Sequence, residues 1–237
     1  MNTNCLDCHN EIQYPITWNS FLFTPKELWL CEKCSSQLQN ITGEKCRMCS
    51  RPLSLLKPEH IKEATCLDCV RWEEDSKWAG GLTKNTSLLL YNEYLKEYLA
   101  RFKYRGDYLL VKAFSSAVKE GADPLSYDLV TPIPLSPERL YERGFNQAEA
   151  LAREAELNPH NLLIRRHSEK QSKKSRLQRI HSDEVFEMTP DPSVEITNKS
   201  ILLIDDIYTT GTTLRQAAKL LKEAGAKEIT SLTLARG

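Results

Sequence analysis

Two sets of residues in this chain have the types and spacing that a metal-binding or ligand-binding site requires. The first is a set of eight cysteines, all within the first 69 residues and each in a C-x-x-C unit: Cys5/Cys8, Cys31/Cys34, Cys46/Cys49 and Cys66/Cys69. Two thiolates three positions apart on a tight turn can bind one tetrahedral ion, and two such turns complete a four-cysteine site with no open coordination position. The spacing therefore predicts two structural zinc sites.

The order of the pairs favours sequential pairing, with the four cysteines of 5–34 on one ion and the four of 46–69 on the other. This pairing gives two zinc ribbons joined by residues 35–45. A nested or crossed pairing stays open at this point. A thioredoxin-type redox pair needs one C-x-x-C beside a βαβ unit, and an iron–sulfur cluster favours other spacings, so both fit less well than zinc.

The second set lies in residues 201–214, whose sequence is ILLIDDIYTTGTTL. An apolar strand is followed by two adjacent carboxylates and then by a hydroxyl-rich loop that leads into a helix. A glycine permits a tight turn, while backbone N–H groups, hydroxyls and the helix N-terminus attract an anion. Neither a Walker string nor a Rossmann glycine string is present in the chain. The pattern predicts a different phosphate loop, formed by Thr209, Thr210, Gly211, Thr212 and Thr213.

Two carboxylates placed before a phosphate loop suit a sugar phosphate, because Asp205 and Asp206 can accept hydrogen bonds from vicinal ribose hydroxyls. Residues 201–214 resemble the 5-phosphoribosyl-1-diphosphate (PRPP) binding motif of type I phosphoribosyltransferases. The resemblance implies that Asp205 and Asp206 are the catalytic pair and bind the ribose, with Mg²⁺ bridging the ribose and the diphosphate. It also implies that residues 209–213 wrap the 5′-phosphate.

A second string narrows the family. Residues 139–147 (RLYERGFNQ) follow the proline-bracketed TPIP of 131–134, and together with the C-x-x-C pairs they are similar to the ComF family of competence proteins. The strings FKYRGD (102–107) and QSKKSRLQR (171–179) extend the likeness over essentially the whole chain. The resemblance implies a double zinc ribbon followed by a type I phosphoribosyltransferase domain of the α/β class, with a mostly parallel sheet and helices on both faces.

The loop 132–136 looks like the diphosphate loop of the transferase superfamily. By this resemblance Pro134, with Arg139 and Arg143 nearby, faces the leaving group, since arginine is suited to bidentate contact with phosphate oxygens. For the two arginines, the alternative is a place on a solvated helix in ion pairs with neighbouring glutamates.

Residues 165–179 carry seven Lys or Arg and one acidic residue. The tract resembles, by its position, the mobile loop of type I transferases that closes over bound PRPP. The same charges could bind the backbone of single-stranded DNA, and a solvated tract without that role is the alternative. The candidates for nucleic-acid binding are Lys173, Lys174, Arg176 and Arg179.

The elements that must position these residues alternate between strand and helix after residue 125. Their strands are continuous apolar runs, which indicates a mostly parallel sheet covered on both faces. An acidic cluster and the Gly80-Gly81 pair favour a boundary near residue 75, with a ribbon domain over 1–75 and a transferase-like domain over 76–237. Strands are expected at 127–133, 162–165, 199–204 and 228–235, and helices at 88–105, 108–120, 137–156 and 212–224.

Composition argues against attraction of the whole molecule to nucleic acid, since 32 basic residues balance 32 acidic ones. The region 1–75 is acidic, with 8 Lys or Arg against 11 Asp or Glu, and is by itself a poor binder of phosphate backbone. No secretory signal opens the chain, and its apolar runs are far shorter than the roughly 20 residues that cross a bilayer. We therefore expect a cytoplasmic protein without a membrane span, whose cysteines are reduced.

Two functions follow. The ComF resemblance implies a late competence protein that acts in DNA uptake during natural transformation, with PRPP as a ligand and a helicase-like ATPase of the uptake machinery as a partner. The alternative is a metabolic phosphoribosyltransferase with a small-molecule acceptor, whose ribbons serve dimerisation or docking. Thr209 stands where purine-salvage members carry an aspartate, which weighs against purine salvage.

Overall fold

The computed structural model describes residues 4–14, 27–104, 106–166, 185–190 and 194–237. Its strands are β1 (Ile61–Lys62), β2 (Thr65–Cys66), β3 (Lys84–Leu90), β4 (Leu129–Pro132), β5 (Leu163–Arg165), β6 (Phe186–Met188), β7 (Ser200–Tyr208) and β8 (Glu228–Arg236). A four-stranded sheet with the order β3-β8-β7-β4 forms the centre, and all of its pairs are parallel. The pairs β1–β2 and β5–β6 are short and antiparallel.

The helices follow the chain as α1 (Glu32–Ser35), α2 (Leu67–Glu74), α3 (Glu93–Tyr104), α4 (Ser115–Ala122), α5 (Pro137–Arg143), α6 (Gln147–Glu154) and α7 (Thr212–Glu223). Short 3₁₀ helices span Leu53–Leu55, Pro58–His60 and Tyr108–Phe114. None of the helices within the described residues is both long and apolar enough to cross a bilayer.

Both faces of the central sheet are covered. Leu202 and Ile204 of β7 belong to a hydrophobic cluster with α3, α4 and α6. Ile201 and Leu203 of the same strand belong to a second cluster with α7 and the β5–β6 pair. Because successive side chains point to opposite faces, a strand buried on both sides must be apolar throughout. The expected α/β sheet with helices on both faces is confirmed.

The helix expected at 88–105 is wrong over its first residues. The chain is strand β3 up to Leu90, and α3 begins only at Glu93. Leu89 and Leu90 pair with Ala235 and Arg236 of β8, and this pairing outweighs the helical spacing of the leucines.

Two other expected helices also differ in form. The helix expected at 137–156 is divided into α5 and α6, because Gly144 ends α5 in the left-handed region at φ 77°. The helix expected at 108–120 begins as the 3₁₀ segment Tyr108–Phe114 and continues as α4 to Ala122.

The segment between the two cysteine groups covers the free edge of β3. The N–H of Ile41 donates to the carbonyl of Leu88 at 2.9 Å, and the N–H of Leu90 donates to the carbonyl of Gln39 at 2.8 Å. An unpaired strand edge is a template for association with other chains, and residues 39–41 occupy this one.

The cysteine-bearing region shares the cores of the sheet. Cys5 and Cys34 belong to the cluster that contains α3, and Cys46, Cys49, Cys66 and Cys69 belong to the cluster that contains α7. The expected division between residues 75 and 76 stays a prediction.

A buried polar network attaches residues 48–50 to β3. Asn85 is fully buried, its N–H donates to the carbonyl of Met48 at 2.7 Å, and its carbonyl accepts from Ser50 Oγ at 2.9 Å. Its side-chain oxygen accepts from Ser231 Oγ of β8 at 2.8 Å. Because these buried groups are partnered, the network can fix one position of the turn on the sheet.

Candidate functional site

The site lies where two neighbouring parallel strands end. Pro132 of β4 pairs with Ile204 of β7, so the residues after each strand meet at one edge of the sheet. A cavity of about 190 Å³ lies at this edge. Of the residues expected from sequence, those that line it are Pro134, Arg139, Arg143, Asp205, Asp206 and Thr213.

Four further polar residues of the cavity were not predicted as site residues. They are Lys103 from the end of α3, Asn146 and Gln147 at the start of α6, and Arg165 at the end of β5. Lys103, Asn146 and Gln147 belong to the strings FKYRGD (102–107) and RGFNQ (143–147), which carry the family resemblance and are the signal in the sequence that points to these residues. Arg165 is the first residue of the basic tract 165–179, and its position in that tract does not indicate a place in the cavity.

The acidic pair occupies the last part of β7, which continues four residues beyond the expected strand end at 204 and finishes at Tyr208. Asp206 forms an ion pair with Lys103, and their side chains are 14% and 15% exposed. Asp205 Oδ1 accepts a hydrogen bond from the N–H of Asp206 at 2.9 Å. Burial, and then the charge of Asp206, raises the pKa of Asp205 to about 8. The positive charge around the two carboxylates is therefore too small to keep Asp205 ionised at neutral pH, even with Lys103 beside Asp206.

Positive charge is also concentrated at the cavity. Four cations, Lys103, Arg139, Arg143 and Arg165, face it together with two carboxylates. Burial lowers the pKa of Arg165 below the usual arginine value, and the nearby charge of Arg139 lowers it further. Cations crowded in this way favour an anionic ligand, which relieves their mutual repulsion.

Residues of the string RGFNQ (143–147) have structural roles beside the cavity. Arg143 Nη1 donates to Oε1 of the buried Gln147 at 2.7 Å, which orients the guanidinium. The ring of Phe145 packs between Phe102 and Tyr108 at centroid distances of 5.2 and 5.1 Å. Asn146 begins α6 by accepting from the N–H of Ala148.

Asn146 also connects this string to the loop 133–136, which follows β4. Its Nδ2 donates to the carbonyl of Ile133 at 3.0 Å, directly after β4. The asparagine therefore holds the start of the loop 133–136 against the N-terminus of α6.

The hydroxyl-rich loop turns sharply before α7. Gly211 is buried, precedes the first residue of the helix and lies at φ 82°. A Cβ atom at this position would lie 2.1 Å from Tyr208 Oη, so only glycine fits. Thr210 and Thr212 share a hydroxyl–hydroxyl hydrogen bond of 2.9 Å. Thr213 reaches the cavity, and residues 209–212 form the turn directly before it.

The cysteines form the two sequential groups that the spacing favoured. In each group the four sulfur atoms lie within 4.8 Å of one another. The Sγ atoms of Cys8 and Cys31 are 3.6 Å apart, and those of Cys49 and Cys66 are 3.7 Å apart. Zn–S bonds of about 2.3 Å in a tetrahedron place the sulfurs roughly 3.8 Å apart. Both groups therefore have the ligand type, number and spacing of a zinc site.

The four residues named as candidates for nucleic-acid binding, Lys173, Lys174, Arg176 and Arg179, lie outside the described residues.

Comparison with known proteins agrees with this geometry. The phosphoribosyl transferase domain family matches residues 141–237. Competence protein ComFC of Bacillus subtilis (strain 168) is 41% identical in an alignment of 237 positions that covers 98% of this chain and 94% of that protein. The chain belongs to the ComFC family. Competence protein ComFC of Streptococcus pneumoniae (strain ATCC BAA-255 / R6) is 34% identical, with coverage of 98% of this chain and 99% of that protein.

Among solved structures, the purine phosphoribosyltransferase from Pyrococcus horikoshii Ot3 matches with a TM-score of 0.35 and 18% identity, over 54% of this chain and 83% of that one. At this TM-score the likeness adds nothing to the assignment to the ComFC family.

Gly211→Ala is expected to destabilise this ComFC family member far more than Gly43→Ala. Both glycines lie in the left-handed region, at φ 82° and 71°, but a Cβ at Gly43 meets nothing within 4 Å. We expect the free energy of unfolding, measured by urea denaturation, to fall by about 2–4 kcal/mol for Gly211→Ala and by about 1 kcal/mol for Gly43→Ala. Equal losses would contradict a close contact between Gly211 and Tyr208.

Asp205→Asn is expected to stabilise the protein in a pH-dependent way. The raised pKa of Asp205, about 8 against an ordinary 3.8, means that its contribution to stability is present at low pH and is lost as the pH rises toward 8. Asparagine keeps the oxygen that accepts from Asp206. Differential scanning calorimetry should show a Tm several degrees higher than wild type at pH 8 and no gain near pH 4. The exposed Asp123→Asn is the control, and an equal gain at both pH values would contradict the explanation.

Proposed function

We propose that this chain is a competence protein that binds PRPP together with Mg²⁺ in the cavity at the carboxyl ends of β4 and β7. The observation that carries the proposal is the meeting, at one edge of the sheet, of an acidic pair, a cluster of cations and a glycine-containing hydroxyl loop. The relatives' names, both "Competence protein ComFC", support the biological part.

The charges of the cavity suit the donor. PRPP carries a phosphate at one end of its ribose and a diphosphate at the other, so it needs two anion sites separated by a site for hydroxyls. Four cations against two carboxylates leave a formal excess of two positive charges at the cavity. The turn before α7 offers a second place for anions, because the N-terminal amides of a helix attract negative charge.

Each group then has a distinct task. The loop 209–213 holds the 5′-phosphate with its amides and hydroxyls, and Asp205 and Asp206 accept from the ribose hydroxyls. Pro134 belongs to the loop that approaches the diphosphate, and Arg139 and Arg143 neutralise its charge. Gln147 keeps Arg143 in place through the hydrogen bond of 2.7 Å.

The acidic pair suits Mg²⁺, which prefers carboxylate and substrate oxygens. Asp206 already has one cation beside it, since it forms an ion pair with Lys103. When bound, Mg²⁺ would be held by Asp205 and Asp206 and would neutralise charge that develops on the diphosphate as it leaves.

Transfer of the phosphoribosyl group would need little more than this arrangement. Bond breaking at the anomeric carbon creates positive charge on the sugar and negative charge on the diphosphate. Arg139, Arg143 and Arg165 are placed to stabilise the second of these charges, and correct positioning supplies a large part of the remaining rate.

The wider proposal concerns DNA uptake. We infer that the protein acts in the cytoplasm, where its eight cysteines stay reduced and two four-cysteine groups bind Zn²⁺. The basic tract 165–179 would bind incoming single strands, and a helicase-like ATPase of the uptake machinery would be the protein partner. An acceptor in such a pathway would be a nucleobase or a DNA strand.

Calorimetric titration of PRPP with Mg²⁺ tests the ligand. Wild type is expected to bind, and Asp205→Asn/Asp206→Asn to lose at least tenfold in affinity because Mg²⁺ loses two carboxylate ligands, which amides replace poorly. Asp123→Asn, an exposed acidic residue outside the cavity, should bind like wild type. Circular dichroism confirms that each variant folds.

Absence of binding by folded wild type would overturn the proposal for the ligand. Binding accompanied by turnover of a free nucleobase would favour a metabolic phosphoribosyltransferase over a competence factor.

Replacement of Lys173, Lys174, Arg176 and Arg179 by alanine tests the DNA part. The slope of log K against log salt is negative, and each lost phosphate contact should reduce its magnitude by about 0.7. We therefore expect the slope for a single-stranded oligonucleotide to become less negative by up to about 3. The control replaces Lys33, Lys57, Lys62 and Lys77, which lie in the region 1–77. Unchanged affinity and slope in the first variant would contradict strand binding by this tract.

A further inference from the structure

Arg236 connects the phosphate loop with the second cysteine group, which consists of Cys46, Cys49, Cys66 and Cys69. Its side chain is buried, and Nη1 donates to the carbonyls of Tyr208 at 3.1 Å and Thr209 at 3.0 Å. The same nitrogen also contacts the carbonyl oxygen of Gly237. Nη2 donates to Cys49 Sγ at 3.6 Å. One guanidinium therefore touches both the start of the loop and a thiol of the cysteine group.

Trp72 makes a second connection from the same group. It lies on α2, which begins between Cys66 and Cys69, and its Nε1 donates to the carbonyl of Thr210 at 3.0 Å. The guanidinium of Arg215 lies 5.1 Å from the indole ring and also forms an ion pair of 2.8 Å with Glu73. The indole is thus held between the loop and the buried Arg215 of α7.

Three successive carbonyls of the loop are bound in this way. Arg236 holds those of Tyr208 and Thr209, and Trp72 holds that of Thr210. In a trans peptide the carbonyl and the following N–H point in opposite directions. Fixing these carbonyls toward the cysteine group directs the N–H groups of residues 209–211 away from it, toward the side on which a phosphate would bind.

The free-energy cost of burying the charged guanidinium of Arg236 depends on the metal. Burial of a guanidinium is costly unless an anion lies beside it. An ion held by four thiolates leaves the group with a formal charge of about −2. When the group holds zinc, the thiolate of Cys49 therefore supplies counter-charge to Arg236, in addition to the oxygen of Gly237, the last residue of the printed sequence.

We propose that the second cysteine group, acting through Arg236 and Trp72, directs the amides of the phosphate loop, so that the metal content of this group sets the affinity of the loop for a phosphorylated ligand. Arg236 and Trp72 are positioning residues in this scheme. The inference about ligand affinity rests on the proposed function, and the inference about the loop itself does not.

The first test compares Arg236→Met with Arg101→Met in the full chain. Arg101 pairs with Asp7 and so holds the first cysteine group against α3, which makes it a matched guanidinium at the other metal group. For Arg236→Met we expect hydrogen exchange of the amides of 209–211 to rise at least tenfold and the affinity for PRPP with Mg²⁺ to fall about tenfold. Arg101→Met should leave both within twofold.

Measurement of the zinc content distinguishes a loss of loop positioning from a loss of the cysteine group's structure. Arg236→Met should keep two equivalents of zinc per chain, so the effect on the loop would occur with the metal in place. Arg236→Lys, which keeps the charge but loses the forked geometry, should recover part of the protection of the loop amides. A loop that exchanges like wild type in Arg236→Met would overturn the proposal.

A double-mutant cycle tests whether Arg236 acts through the cysteine group. Cys49→Ser should raise exchange of the loop amides and lower PRPP affinity, and the combination with Arg236→Met should be no worse than Cys49→Ser alone. Additive effects of the two substitutions would contradict the connection. If wild type fails to bind PRPP, the proposed ligand is wrong, while the exchange measurement still decides the connection because it needs no ligand.

Discussion

The pairing of β7 on both of its sides is the constraint on which the rest of the structure depends. Its apolar residues 201–204 are buried on both faces, between β4 and β8. A slip of one residue would exchange the two faces of the strand, so the place at which the acidic pair appears is fixed relative to the ends of both neighbours. Pro134 after β4 and Arg236 at the end of β8 are brought to the same edge by this register. The geometry of the cavity is thus set by the sheet, and the loops supply its chemistry.

The cysteine groups are integral to the packing of the sheet. The first group lies against α3, where Asp7 accepts from Tyr94 Oη at 2.9 Å and pairs with Arg101. The second group lies beside the hydroxyl-rich loop 209–213 and contacts Arg236. A four-ligand centre fixes distances more strictly than apolar contact does, because its bond lengths and angles are defined. Each centre can therefore act as a rigid support for the elements above it.

The parts of the site that sequence could predict are those carried by local strings. The cysteine grouping, the acidic pair with its loop, and Arg139 and Arg143 each depend on spacing within a short stretch. Lys103 and Arg165 come from elements far apart in the chain, so only the packing of α3 and β5 brings them to the cavity. Burial of Asn85 was equally hidden, because its partner Ser231 is 146 residues away. For the same reason β3 could not be told from the start of a helix, since its assignment depends on β8.

The position of β8 determines when the central sheet can form during synthesis. β8 lies between β3 and β7, yet it follows both of them in sequence. A ribosome therefore releases the cysteine groups and β3 well before residues 228–236 are available to join β3 to β7. During that interval the early segments can form local turns around metal, while the sheet, whose contacts are long in sequence, must wait. Zinc uptake by the nascent chain can then precede closure of the sheet.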